Sequence, residues 1–188
     1  SGRIATEVEV AFPFDQALAA AEDPIPYSVE ELADKVATFT ALVTEAPQLF
    51  PPHICEPDFI ARFEAEAWQF RKAEGAIKRF LHTQPDYIAL CHWNAHIDNG
   101  WYWRDEHGLL QCGLMDWGRA RQLNLGYALW GCLSGATIEM WDADLDGLLI
   151  LFIDEYHAGG GPLLDLPELK LHLNLYAAMI GLSGLLLA

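Results

Sequence analysis

Two histidines, two asparagines and an aspartate crowd the nine residues CHWNAHIDN at 91–99, beside Trp93. Side chains of these types can hold a divalent cation, orient a hydroxyl or exchange a proton. A second polar group, Asp116-Trp117-Gly118, follows after an apolar interval. Between them lies GWYWRDEHGLLQCGLM, where DEHG makes a turn and LLQCGLM returns as an apolar strand, which is the signature of a hairpin. With 100–104 and 109–115 as the paired strands and Arg104 opposite Leu109, Asn99 falls opposite Leu114 and Ile97 opposite Asp116. The hairpin thus returns Asp116 to the same end as Asp98 and Asn99. An amide oxygen and a carboxylate oxygen placed together, completed by water and phosphate oxygens, suit Mg²⁺ on a nucleotide.

Each of these residues alone has an ordinary structural use. A loop histidine commonly serves as a hydrogen-bonding group, an aspartate after a strand caps a turn, and Trp101, Trp103 and Trp117 read as packing residues. The joint spacing carries the functional reading. His92-Trp93-Asn94-Ala95-His96-Ile97-Asp98-Asn99, a hairpin, then Asp116-Trp117-Gly118 resembles the active-site pattern of the protein-kinase-like superfamily, His-x-Asp-x-x-x-x-Asn followed by Asp-[Phe/Trp]-Gly. The second histidine and the tryptophan after the aspartate are similar to the aminoglycoside phosphotransferase and choline-kinase branch, whose loop often reads HGDxHxxN. The resemblance implies a kinase-like C-lobe over 13–188. It implies that Asn99 and Asp116 hold Mg²⁺, that His92 structures the loop, and that Asn94 stands where the family has its catalytic aspartate. ATEVEVAF at 5–12 would be the last N-lobe strand and hinge, within residues 1–12, where the adenine of ATP touches backbone atoms at Glu7 and Val8. His96 has no role in this reading.

Two departures bear on catalysis. A carboxylate can accept the acceptor's proton, whereas the neutral amide of Asn94 can only orient it; Asp98 or His96 would have to serve instead. Phosphoryl transfer draws mostly on positioning and metal charge, so activity need not vanish. The other departure is the N-lobe. No GxGxxG precedes the hinge, and Lys35, Lys72, Lys78 and Lys170 all lie in predicted helices. Gly159-Gly160-Gly161 has no following Lys-Ser/Thr and reads as a helix-ending loop. LNLGYALWG carries Asn124 and no acid where many family members have an aspartate. A C-lobe alone would bind nucleotide poorly and expose an apolar interlobe face to a missing N-lobe or partner. The alternatives are a pseudokinase-like binding module and, from another class, a metal-dependent hydrolase using His92 and His96 at i, i+4 spacing.

The rest of the chain must position this cluster. Its 188 residues, 52% apolar and 20% charged, can build a substantial core. Acidic residues outnumber Lys plus Arg by 27 to 11, a formal charge of −16. That field repels phosphate backbones and anionic lipid, which argues against nucleic-acid and membrane-surface binding. It suits a cationic acceptor such as an amino sugar or choline. Cys55, Cys91, Cys112 and Cys132 lack CxxC spacing and read as reduced, mostly buried thiols of a cytoplasmic protein. The chain opens on SGRIATEVEV without methionine and stops inside an apolar helical pattern, as a processed or truncated chain would. Residues 3–12 read as a strand. Ser28 and Glu31 form a capping box for a helix bearing Val29, Leu32, Val36, Phe39 and Val43. A second helix runs from Pro57 to near HTQPD with Phe59, Phe63, Phe70, Ile77 and Leu81 on one face. Segments near 122–139, 143–158 and 167–188 read as helices, the last opened by Asp165 and Glu168. The sum is a mainly helical α+β domain.

Overall fold

The computed structural model describes residues 29–184. The strand expected at 3–12, with Glu7 and Val8, and the Ser28 half of the capping box lie outside the described residues. The fold is α+β and mostly helical, with two small antiparallel sheets.

Helix α1 (Val29–Glu45) buries Leu32, Val36, Phe39 and Val43, the stripe its spacing predicts. This stripe packs on the first half of α2 (Pro57–Thr83), where Phe39 meets Phe63 with ring centroids 4.6 Å apart. Further along α2, the buried positions Ala67, Glu74 and Leu81 recur every seven residues. The Glu74 carboxylate, almost wholly buried, pairs with Lys78 Nζ at 3.2 Å, which offsets the cost of taking its charge out of water.

Strand β1 (Ile88–Cys91) follows, then the polar loop, then the hairpin of β2 (Gly100–Arg104) and β3 (Leu110–Leu114). A further strand, β4 (Arg121–Asn124), pairs antiparallel with β1 from Ile88↔Asn124 to Cys91↔Arg121. Three helices complete the fold: α3 (Leu125–Leu133), α4 (Leu145–Ala158) and α5 (Leu166–Gly184). A π-helical turn at Met140–Asp144 leads into α4. The helix expected at 122–139 is therefore corrected at both ends. Its first residues are spent on β4, Asn124 caps α3, and the helix stops at Leu133. Asp165 Oδ1 accepts from Glu168 N at 3.0 Å, the expected cap of α5.

The second core gathers Tyr87 and Cys91 with Leu125, Leu149, Ile153, Leu169 and Leu173. Helix α5 serves both cores, since its Leu182 packs into the first. The node joining them is polar. Asn124 Oδ1 accepts from Gly126 N at 2.8 Å, while its Nδ2 lies 2.7 Å from Leu81 O and 2.8 Å from His172 Nδ1. One side chain thus caps α3 and ties it to α2 and α5. Gly126 permits the approach, because a Cβ there would meet the His172 carbonyl carbon at 2.7 Å. His172 is fully buried and stacks on Tyr87 at 4.3 Å. Among the described residues, no helix is long and apolar enough to cross a membrane.

Burial lowers the His172 pKa to about 4, so the folded chain keeps the ring neutral where the unfolded chain protonates it. Stability is fully present above about pH 6.5 and falls as pH drops toward 4, by roughly 3 kcal/mol from this group. Urea titrations of wild type and His172→Leu across that window should show the smaller acid loss in the variant. Asn124→Ala removes a cap and leaves two buried acceptors without their donor. It should cost about 2–4 kcal/mol in the same titration at pH 7.

Candidate functional site

Pairing of Cys91 with Arg121 closes a stem from which residues 92–120 project. The polar loop leaves one strand of that stem, and Asp116-Trp117-Gly118 returns to the other. Cys91 is buried in the stem, which pushes its thiol up to about 11 and makes it a packing group rather than a nucleophile.

The loop rests on α3. Gly131 gives it room, because a Cβ there would overlap Trp93 O, and Gly135 does the same beneath the His96 ring. Cys132 Sγ donates to Ala95 O at 3.1 Å. A 3-10 turn at Ile97–Asn99 ends the loop. Asn99 Nδ2 donates back across it to Asn94 O at 2.9 Å. This bond spends the amide nitrogen and leaves Asn99 Oδ1 as the free acceptor.

The hairpin register differs by one residue from the expectation. Arg104 pairs with Leu110 and Gly100 with Leu114, and Met115 N donates to Asn99 O at 3.0 Å. Asn99 is therefore level with Met115, and not with Leu114. The turn explains the shift. Asp105 pairs with Leu109, its carboxylate accepts from His107 N and Leu109 N at 2.9 Å each, and Gly108 takes the positive φ of 77°. Three residues, not four, thus form the loop tip. One step of register exchanges the faces of every side chain on the strand. Trp101 and Trp103 share one face, with their rings 5.6 Å apart, while Tyr102, Cys112, Leu110 and Leu114 take the other.

His92 completes the arrangement. It is almost wholly buried, and its Nε2 donates to Met115 O at 2.7 Å while its ring stands edge-on to Trp117 at 4.9 Å. Both polar groups of the Met115 peptide are thereby held, its N–H by Asn99 and its C=O by His92. The next residue, Asp116, adopts φ 60° and ψ 52°, the single positive φ of a non-glycine among the described residues. A left-handed conformation costs about 1–2 kcal/mol for most side chains, and less for aspartate. Trp117 Nε1 donates to Leu114 O at 2.9 Å and secures the reversal.

The sequence-predicted residues thus divide. His92, Asn94, Asn99 and the Asp116 backbone form one connected unit. Asp98 is exposed, with its carboxylate 3.5 Å from His96 Nδ1, and sits at the margin. His92 and His96 face different partners, so the i, i+4 pair does not converge. No cluster of three His, Cys, Asp or Glu able to hold a metal occurs among the described residues. Asn99 Oδ1 and the Asp116 carboxylate are hard oxygen donors, a type that suits Mg²⁺ rather than Zn²⁺.

Sequence reasoning missed a cavity of about 420 Å³ lined by Trp93, Gly118, Ala120, Arg121 and Tyr127. Its signal was weak, since its lining comes from the loop, β4 and α3, and β4 went unread. The tryptophans also correct an expectation. Trp101, Trp103 and Trp117 are exposed, as are Tyr102, Leu110 and Met115, so the described residues leave an apolar surface beside the site. Cys112 and Cys132 are likewise exposed rather than buried.

No family model matches the chain, and comparisons with curated proteins and with solved structures find no match. Changing Gly131 to Ala should shift the Trp93 backbone and cost about 1–3 kcal/mol in chemical unfolding. An intact loop in a variant of undiminished stability would refute the close packing.

Proposed function

We propose that this chain is the C-lobe of a kinase-like phosphotransferase, similar to the aminoglycoside and choline phosphotransferases, acting on the hydroxyl of a small molecule with ATP as donor. The observation that carries this reading is the doubly held Met115 peptide. It sets the amide oxygen of Asn99 and a left-handed Asp116 at the same end of one hairpin. Spending backbone strain to aim a carboxylate is characteristic of functional sites.

In the reaction, the acceptor oxygen forms a bond to the γ-phosphorus as the bond from that phosphorus to the β–γ bridging oxygen breaks. ADP leaves, and the hydroxyl proton passes to water. Asn99 and Asp116 would hold Mg²⁺, which neutralises phosphate charge when bound. Asn94 orients the hydroxyl by hydrogen bonding and takes no proton. His92 acts through Met115, as a positioning residue. The exposed apolar surface of the hairpin is where an N-lobe or a partner would seat, and the protein is placed in the cytoplasm.

Asn94 also favours a second reading, a pseudokinase-like binding module that holds Mg-nucleotide without turnover. Calorimetry on the full-length protein tests what both share: Asp116→Ala should weaken Mg-ATP binding by more than about tenfold, or 1.4 kcal/mol. Unchanged affinity would sink both. Asn94→Asp separates them. A rise in ADP release of about a hundredfold marks a decayed enzyme that lacks its base, and a fall marks an amide adapted to its own chemistry.

A further inference from the structure

The cavity missed from sequence has a lining that bears on the acceptor. Its lining includes Trp93, the residue before Asn94, and Gly118, two residues after Asp116. Two walls are aromatic, with Trp93 and Tyr127 nearly parallel at 13° and their centroids 6.1 Å apart. Gly118 and Ala120 offer small, nearly featureless surface. Among the described residues, Arg121 is the one charged side chain that lines the cavity, and no acid does.

Arg121 is exposed and makes no ion pair among the described residues. That is notable in a chain whose acidic residues outnumber its cations by 27 to 11. Other cations do find partners: Arg62 pairs with Glu66, Lys78 with Glu74 and Lys170 with Asp146. An unpaired guanidinium over an aromatic floor is suited to a planar body bearing a carboxylate or phosphate, which the fork grips with two parallel hydrogen bonds. The net charge of −16 does not cancel this attraction, because charges beyond about 8 Å are screened at physiological salt while a direct contact is not. A volume of about 420 Å³ is within the range of small-molecule sites.

Resting on the phosphotransferase reading, we infer that the acceptor is an anionic hydroxyl compound with a planar or apolar body, held by Arg121 against the aromatic side of the cavity that Trp93 and Tyr127 form. The cationic acceptor that the overall charge favours would meet a like charge in the cavity.

Three matched probes test this on the full-length protein with Mg-ATP: 4-(hydroxymethyl)benzoate, 1,4-benzenedimethanol and 4-(aminomethyl)benzyl alcohol. They share a ring and a primary hydroxyl and differ only in the charge of the para group. Binding is read by ligand-observed NMR and by tryptophan fluorescence. The carboxylate should bind at least about tenfold tighter than the amine. Arg121→Gln should bring it down to the level of the diol while leaving the diol within about twofold, and Arg121→Lys should restore part of the difference. Arg62→Gln, which removes a cation elsewhere, should change nothing.

Several results would overturn the inference. These are an amine that binds as well as the carboxylate, a preference surviving in Arg121→Gln, or no carboxylate binding up to about 10 mM. A fourth is Arg121→Gln weakening Mg-ATP instead of the probe, which would assign the guanidinium to the nucleotide. Asp116→Ala is measured alongside. If it leaves Mg-ATP affinity intact, the phosphotransferase reading fails on its own, whatever the probes show. If it abolishes that affinity and the carboxylate shows no preference, only the acceptor inference falls.

Discussion

The peptide between Met115 and Asp116 is the constraint from which the site follows. Its carbonyl is held by a buried histidine and the amide of Met115 by the backbone of Asn99. Because the Met115 carbonyl bonds His92 while Asn99 N donates to His96 O, the ladder ends here, and Asp116 takes up the reversal in a left-handed conformation. Residues that the sequence places far apart become one unit because buried polar groups must be satisfied. His92 is thus a structural donor whose chemistry is exercised through the geometry of its neighbour. Its Nδ1 is buried without a hydrogen-bond partner, a cost of about 1–3 kcal/mol accepted at this point.

A second polar node supports the first at a distance. Asn124 ends β4, caps α3 and ties α2 to α5, and so aligns the helix against which the loop rests. The loop then needs glycine at 131 on that helix and at 135 in the turn that follows it, for its backbone and the His96 ring to come close. Stability and site geometry are coupled here: disturbing α3 disturbs the loop, because the two are in van der Waals contact over several residues. At position 124 an amide supplies both a donor and an acceptor. A carboxylate could not donate to Leu81 O and His172.

The two sides of the hairpin show what local patterning leaves open. Alternation places Trp101 and Trp103 together, but it does not say whether anything covers them. Among the described residues nothing does, and large aromatic surface stands beside a polar site. That juxtaposition is typical of interaction surfaces. Charge behaves similarly. The overall excess of acid describes the surface as a whole, while the cavity by the loop presents the guanidinium of Arg121.

What the sequence by itself determined was most of the helices and the hairpin between them. The apolar stripe of α1, the proline-started α2 and the capped α5 rest on local periodicity and capping, which neighbours in sequence largely dictate. The hairpin was legible for the same reason, since its turn lies between two short extended segments. Only tertiary structure decided the register, the four-residue strand β4 and the cavity around Arg121. A carboxylate cap at Asp105 and one positive-φ glycine at 108 set the register. Strand β4 exists through its pairing with β1, and a strand of four residues has too little periodicity to be read. The cavity belongs to three elements at once, and its charge is a property of their assembly rather than of any segment.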